Sequence, residues 1–297
     1  MYKIDATTVS QQYLHRIMLG SIAPRPIAFV STVDKDGRPN LAPFSFFNAF
    51  GVNPATLIFS PSRRGRDNTT KHTYENLLEV PECVINVVNY SMVQQMSLAS
   101  CEFPKGVNEF EKAGFTAIAS ESVKPFRVKE SPVQYECKVR QIVALGDGPG
   151  AGNLVICDVM LVHIDPTVLD EKNEINQETI DLVGRMGGDY YVRTSRTARF
   201  VVEKPVSTNG IGIDSLPEHI RLSQLLTGNQ LGQLGNLQQL PSEEAIGLYS
   251  RNDKLVNLFK EHPTEYFEQA VALLEKGCAT DALAMLLAVN DFQQKPR

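Results

Sequence analysis

The stretch Pro26-Ile27-Ala28-Phe29-Val30-Ser31-Thr32-Val33-Asp34-Lys35-Asp36-Gly37-Arg38-Pro39-Asn40-Leu41-Ala42-Pro43-Phe44-Ser45-Phe46-Phe47-Asn48 sets two β-branched and aromatic runs around a turn. Asp-Gly followed by Pro is turn chemistry, so residues 26–33 and 41–48 read as the two strands of a hairpin. Further runs of the same kind occupy residues 56–60, 83–88, 133–145 and 153–164, broken by Gly, Pro, Asn and Asp. Helices are expected near residues 69–79 and 91–100. Many short strands with few helices favour a closed antiparallel barrel over a doubly wound sheet.

Around residue 195 the texture changes. Gly228-Asn229-Gln230-Leu231-Gly232-Gln233-Leu234-Gly235-Asn236-Leu237 is rich in Leu, Gln and Gly but follows no solenoid period. Ser242 can cap a helix that opens with Glu243 and Glu244. Pro263-Thr264-Glu265 opens another, stopping at Gly277, and residues 281–289 form a third. The expected division is therefore a mainly β domain over residues 1–195 and a linker with a helical C-terminal extension over 196–297.

Composition removes several function classes. A formal net charge of −5 over 297 residues, with no basic stripe, gives no footprint for nucleic acid. No apolar run reaches the roughly 18 residues of a membrane span, and the N-terminus lacks the apolar core of a secretory signal. The five cysteines form no C-x-x-C pair and are odd in number, which reads as reduced thiols in a cytoplasmic protein. The five histidines fall in no metal-ligand spacing, so no protein-held metal is expected.

The chemistry is concentrated in residues 21–76. Arg63, Arg64, Arg66 and Lys71 crowd into nine residues of an acidic chain, directly before a helix rich in hydroxyls. Cations, hydroxyls and the free N–H groups of a helix start together suit a phosphate. A solvated loop before a Thr-capped helix has the same composition. Ser45-Phe46-Phe47-Asn48 mixes apolar walls with polar groups, as a flat amphipathic ring needs, and it serves equally as plain core. In one continuous strand Phe44 and Phe46 would share the buried face. Glu136 reads as an outward-facing strand residue and His163 as a structural histidine. Arg185 with Gly187 and Gly188 reads either as a close backbone approach over a ligand or as a tight turn. The Gly-rich run 146–152 lies between two strands, so it is a hairpin loop and not a dinucleotide fingerprint.

The blocks R-P-I-A-F-V-S-T, N-L-A-P-F-S-F-F-N, N-P-A-T-L-I-F-S and K-H-T-x-x-N, taken together, resemble the flavin-reductase-like FMN-binding proteins and their flavoredoxin branch. The resemblance runs over about residues 10–195. It implies a six-stranded split β-barrel of antiparallel Greek-key type, a homodimer, and noncovalently held FMN. It carries Ser45, Phe46, Phe47 and Asn48 to the isoalloxazine, Ser60 and the loop containing Arg66 to the ribityl chain or phosphate, and Lys71 and Thr73 to the phosphate. Arg25, Ser31 and Thr32 follow on the matching first strand. His72 departs from the Asp usual in that branch, and Asn53 from the Asp of D-P-P.

The implied activity is an NAD(P)H-dependent flavin reductase, in which NADH or NADPH delivers hydride to flavin N5. The alternatives are an electron carrier holding FMN as a prosthetic group, or a non-redox flavin-binding protein. No general acid or base is singled out, and nothing in the residues names the electron acceptor.

Overall fold

A computed structural model describes residues 1–202 and 209–294. The chain divides into two compact units, Met1–Phe200 and Val201–Arg297.

In the first unit, helix α1 (Gln11–Ser21) precedes β1 (Ala28–Val33) and β2 (Pro39–Phe44). The expected hairpin forms between them. Asp34 accepts hydrogen bonds from the backbone N–H of Asp36 (3.0 Å) and Arg38 (2.9 Å) and from Arg38 Nε (2.7 Å). Gly37 supplies the positive φ of +81° that the turn requires. Then come β3 (Phe47–Val52), β4 (Ala55–Phe59), α2 (His72–Glu79), β5 (Glu82–Val87), α3 (Val93–Leu98) and α4 (Glu109–Ala113). Short strands β6 (Ala117–Ile118) and β7 (Arg127–Val128) pair with each other. The long strands β8 (Val133–Ala144) and β9 (Asn153–Ile164) form the hairpin around the Gly-rich loop, and β10 (Val183–Arg185) pairs with β11 (Tyr191–Arg193).

The expected single strand over 41–48 does not exist. The chain breaks at Ser45-Phe46, and β2 and β3 take opposite edges of one seven-stranded sheet, ordered β2-β1-β5-β8-β9-β4-β3. Two linking residues span at most roughly 11 Å, three Cα steps. The sheet must therefore curl until its edges approach, yet the edge strands are not hydrogen-bonded to each other. That is a split barrel, with seven strands where the resemblance implies six.

The break resets the alternation. Phe44 is buried, Phe46 is 38% exposed, and Phe47 packs against the barrel core. That core holds Ala28, Val30, Phe44, Phe59, Ile85 and Val155, with Leu77 of α2 inserted. The alternate residue Phe29 of β1 faces a second cluster with Leu41, Met92, Met96 and Phe110, covered by α3 and α4. All six residues of β1 are buried, and burial on both faces explains why the strand shows no alternation with charged residues. Polar bonds also pin α2: Asn40 Nδ2 donates to Thr73 Oγ1 (2.9 Å), and Asn76 Nδ2 to Thr32 Oγ1 (3.1 Å).

Glu136 corrects a second expectation. Alternation separates it from the barrel side of Cys137, but it is fully buried rather than exposed. It accepts from the N–H of Glu121 (2.9 Å) and Ser122 (2.5 Å) and bonds His163 Nε2 at 2.7 Å, with Arg127 Nε at 3.7 Å. The loop before β7 covers it, and His163 has the structural role expected of it.

The second unit is helical and has its own core. Its helices are α5 (Glu218–Arg221), α6 (Gly228–Gly235), α7 (Glu243–Ser250), α8 (Asp253–Glu261), α9 (Pro263–Glu275), α10 (Ala279–Leu287) and α11 (Val289–Gln294). Ile220, Leu234, Tyr266, Ala270, Leu283 and Leu286 are buried together. Ser242 caps α7 as expected, and α9 opens at Pro263 and ends before Gly277 (φ +78°). The first eight residues of the Leu/Gln/Gly run form α6, opened by a capping box between Thr227 and Gln230. Among the described residues no helix is long and apolar enough to cross a membrane.

Candidate active site

The sequence around the split places a cavity of about 490 Å³ between the end of β2, the loop from β4 to α2, the start of α2 and the loop after α3. Pro43, Phe44, Ser45 and Phe46 supply one wall, and Ser62, Arg64, Arg66, Lys71 and His72 the polar end. Ser60 lines it too, anchored where its Oγ accepts from the Asn153 N–H (3.1 Å).

The cations at the polar end differ in their freedom. Arg63 is spent on the loop: its Nε and Nη2 donate to Asn68 Oδ1 and Asn68 O, each at 2.7 Å. The Arg64 side chain is only 14% exposed. It donates to Thr69 Oγ1 (3.0 Å), to the Thr70 carbonyl, and to Glu102 Oε1 (3.1 Å). Arg66 Nη2 lies 2.5 Å from Glu102 Oε2, and Lys71 Nζ lies 3.4 Å from Glu102 Oε1. Three cations thus converge on one point at the start of α2, where the Tyr74 and Glu75 N–H groups bond the Lys71 carbonyl and only those of His72 and Thr73 precede the first intrahelical bonds. The arrangement can hold a phosphate dianion.

Two titratable groups, the half-buried His72 and the buried Glu109, also line the cavity. Burial pushes the His72 pKa down, and Arg64, Lys105 and Lys71 add to this against the pull of Glu75. The imidazole is thereby biased toward neutrality, so the charge at this end resides on Arg and Lys. Burial raises the Glu109 pKa, opposed by the Leu41 N–H that donates to its Oε2 at 3.0 Å.

The expected site residues separate into two sets. Ser45, Phe46, Ser60, Arg66, Lys71 and Thr73 come together around the cavity. Thr73 is 1% exposed, and its hydroxyl already accepts from Asn40. The other five do not line it. Phe47 belongs to the barrel core, and Asn48 is exposed, its Oδ1 accepting from the Ala49 N–H. Arg25 is 5% exposed and donates to the carbonyls of Leu19 (2.7 Å), Ile22 (2.6 Å) and Met186 (2.9 Å). It ties α1 to the turn after β10. Ser31 and Thr32 are wholly buried within the sheet. Missing from the expected set are Arg64, Ser62, His72, Ser100, Glu102 and Glu109. Arg64 was visible in the basic cluster, whereas Ser100 and Glu102 arrive from a loop with no sequence signal.

A second cavity of about 660 Å³ shares Pro43, Ser45 and Ser100 with the first. Its walls carry two arginines on tyrosine faces. Arg193 stacks 3.8 Å from the Tyr90 ring centroid and pairs with Asp181 at 2.8 Å. Arg185 stacks 4.6 Å from the Tyr191 centroid. Among the described residues Arg185 forms no ion pair with a carboxylate. The following glycines fit the tight-turn reading rather than a close approach over a ligand. Gly188 turns with φ +57°, and a Cβ on Gly187 would meet Gly20 Cα at 3.0 Å, so the close approach is to α1.

A split barrel with a cation-lined cavity beside the split defines a class of flavin-domain proteins, and the comparisons place the chain within it. The flavin reductase like domain family matches residues 19–179, more than half of the chain, and the protein belongs to that family. A protein of Aquifex aeolicus is 42% identical over 180 residues, which are 61% of this chain and 89% of that one. Among solved structures, nitrilotriacetate monooxygenase component B from Bacillus cereus superposes with a TM-score of 0.64 at 29% identity, covering 68% of this chain and 98% of its own. Flavoredoxin of Desulfovibrio vulgaris shares the fold, with a TM-score of 0.54 at 19% identity over 70% of this chain and 98% of its own.

Proposed function

We propose that the protein binds FMN in the cavity beside the split and acts as an NAD(P)H-dependent flavin reductase. The observation that carries this reading is the convergence of Arg64, Arg66 and Lys71 at one end of a cavity whose other wall is Pro43 to Phe46. When bound, the flavin supplies the capacity to accept hydride from NADH or NADPH and to pass the electrons on.

The chain's own residues do the rest. Arg64, Arg66 and Lys71 compensate a phosphate, and Ser62 with the start of α2 adds neutral donors. Pro43 and Phe46 give the flat ring an apolar wall, and the Ser45 hydroxyl stands where the two cavities join. The second cavity is the place for the electron donor, with the Arg185 guanidinium, which forms no ion pair among the described residues, meeting its negative charge. Placing donor and flavin in adjoining cavities supplies the orientation on which such transfers depend. The same reading includes a cytoplasmic homodimer, for which the half-exposed Met160, Val162 and Ile164 of β9 offer an apolar strip.

The test is direct. The purified full chain should show flavin absorbance and release FMN on denaturation, and anaerobic NADH or NADPH should bleach that absorbance on a catalytic timescale. Flavin that binds but is not bleached by either nucleotide would leave an electron carrier or a non-redox flavin protein. Absence of flavin binding would defeat the reading altogether.

A further inference from the structure

The phosphate end of the cavity is not a set of idle cations, because Glu102 stands among them. Every other carboxylate near the cavity is engaged with the fold. Asp67 accepts from the Thr69 N–H and hydroxyl as well as from Arg66 Nε (3.1 Å), Glu75 from the Thr70 hydroxyl and Lys105, and Glu109 from the Leu41 N–H. Glu102 differs. Its partners among the described residues are all cations: Arg64 and Lys71 on Oε1, Arg66 on Oε2. Among the described residues it makes no bond to a backbone N–H or a hydroxyl, and so holds no turn or cap in place. Burial works to raise its pKa, but the hydrogen bond and charge of Lys71, with Arg64 and Arg66, overcome this and hold the carboxylate ionised.

These are the bonds a phosphate would make at the same place. Resting on the FMN reading above, we infer that Glu102 is a resident counter-ion of the phosphate subsite, occupying its cations until a flavin phosphate takes them over. A carboxylate carries one negative charge and a phosphomonoester about 1.5 to 2, so the phosphate wins the exchange at the cost of part of its binding energy. Two consequences follow for binding. The apo site is not left with Arg64 and Lys71 uncompensated beside an Arg66 paired with Asp67 alone, cations that otherwise repel one another. FMN is also held less tightly than the bare cation cluster would hold it, which favours a flavin that exchanges with solution over one retained permanently. Riboflavin, lacking the phosphate, does not compete with Glu102 and is indifferent to it.

The experiment compares FMN and riboflavin binding, by quenching of flavin fluorescence, to the full chain freed of flavin and to its Glu102→Gln and Glu102→Ala variants. Both variants should bind FMN tighter by about threefold to tenfold, the scale expected when a partly exposed competing charge is removed. Riboflavin affinity should stay within about twofold of wild type. FMN binding that is unchanged or weaker in both variants would overturn the inference, because Glu102 would then be inert or would be ordering the cations. Equal tightening of FMN and riboflavin would overturn it as well, since the effect would not act through phosphate. If FMN binds none of the three proteins, the FMN reading itself fails, and the inference fails with it.

Discussion

Replacing Lys71 by alanine tests the phosphate subsite with the least damage to the fold. The side chain is a third exposed, stands outside the first turn of α2, and makes no cap hydrogen bond for that helix. Its structural contribution is therefore small. Two unit charges about 4 Å apart interact by about 1 kcal/mol in water and about 4 kcal/mol in a surface cleft of effective dielectric 20. Partial exposure puts Lys71 in the lower half of that range, so its loss should weaken FMN by about 1–2 kcal/mol, or roughly 5- to 30-fold in Kd. Arg64→Ala should cost more, about 2–4 kcal/mol, because its guanidinium is far less exposed and less screened. It should also lower thermal stability, since Arg64 ties down the Thr69 hydroxyl and the Thr70 carbonyl. The assay is isothermal titration of the flavin-free full chain with FMN and, in parallel, riboflavin. Riboflavin should be blind to Lys71→Ala. Raising NaCl from 0.15 to 0.5 M should shrink the FMN difference, because the Debye length contracts from about 8 Å toward the roughly 4 Å that separates the charges. Unchanged FMN affinity, or an equal loss for riboflavin, would refute the assignment of Lys71 to a phosphate.

Three further outcomes follow from the geometry. The folded-state pKa of Glu109 is raised by burial, so the folded chain holds its proton more tightly than the unfolded one; stability should fall as pH rises from the ordinary carboxylate value through the higher folded value. Glu109→Gln, which can still accept from the Leu41 N–H, should flatten that decline in thermal melts across pH 4 to 8, and an unaltered slope would exclude Glu109 as its source. Glu136→Ala should cost about 2–3 kcal/mol in urea unfolding, because it strands the N–H groups of Glu121 and Ser122 and leaves His163 and Arg127, both only partly buried, without their carboxylate; a loss under about 0.5 kcal/mol would mean the loop closes without it. Gly184→Ala should cost about 1–3 kcal/mol and disturb the second cavity, since its Cβ would sit 2.9 Å from Pro24 Cβ and 3.4 Å from the Arg25 carbonyl, and a wild-type melting profile would show that β10 can yield there.

What the sequence made legible was local. The β1–β2 turn lay in Asp34 and Gly37, the β8–β9 loop in its glycines, and the cap of α7 in Ser242, because each depends on residues within a few positions. The errors arose where distant chain decides. Glu136 alternates as an outward residue should, and only the loop before β7, recruited from fifteen residues away, buries it. Glu102 reaches Arg64 across 38 residues, and no spacing rule connects them.

The break at Ser45-Phe46 shows the same thing at the site itself. A-P-F-S-F-F-N contains no glycine, and its only proline, Pro43, sits inside β2, so local propensity favours one strand. Continuation would put Phe46 beside Phe44 in the core and leave Phe47 outside. Closure of the sheet overrides this, because β2 and β3 must end on opposite edges with only two residues between them. The cost of interrupting the ladder is offset where Phe47, not Phe46, fills the barrel, and the interruption turns Ser45 and Phe46 into the cavity wall. Arg25 follows the same logic. Its place on the matching strand suggests a ligand contact, but its guanidinium bonds to three carbonyls and reaches Ser45 Oγ at 3.4 Å. It therefore acts on the cavity by fixing the strand break, and replacing it should disturb folding and flavin binding together, whereas loss of Lys71 should touch binding alone.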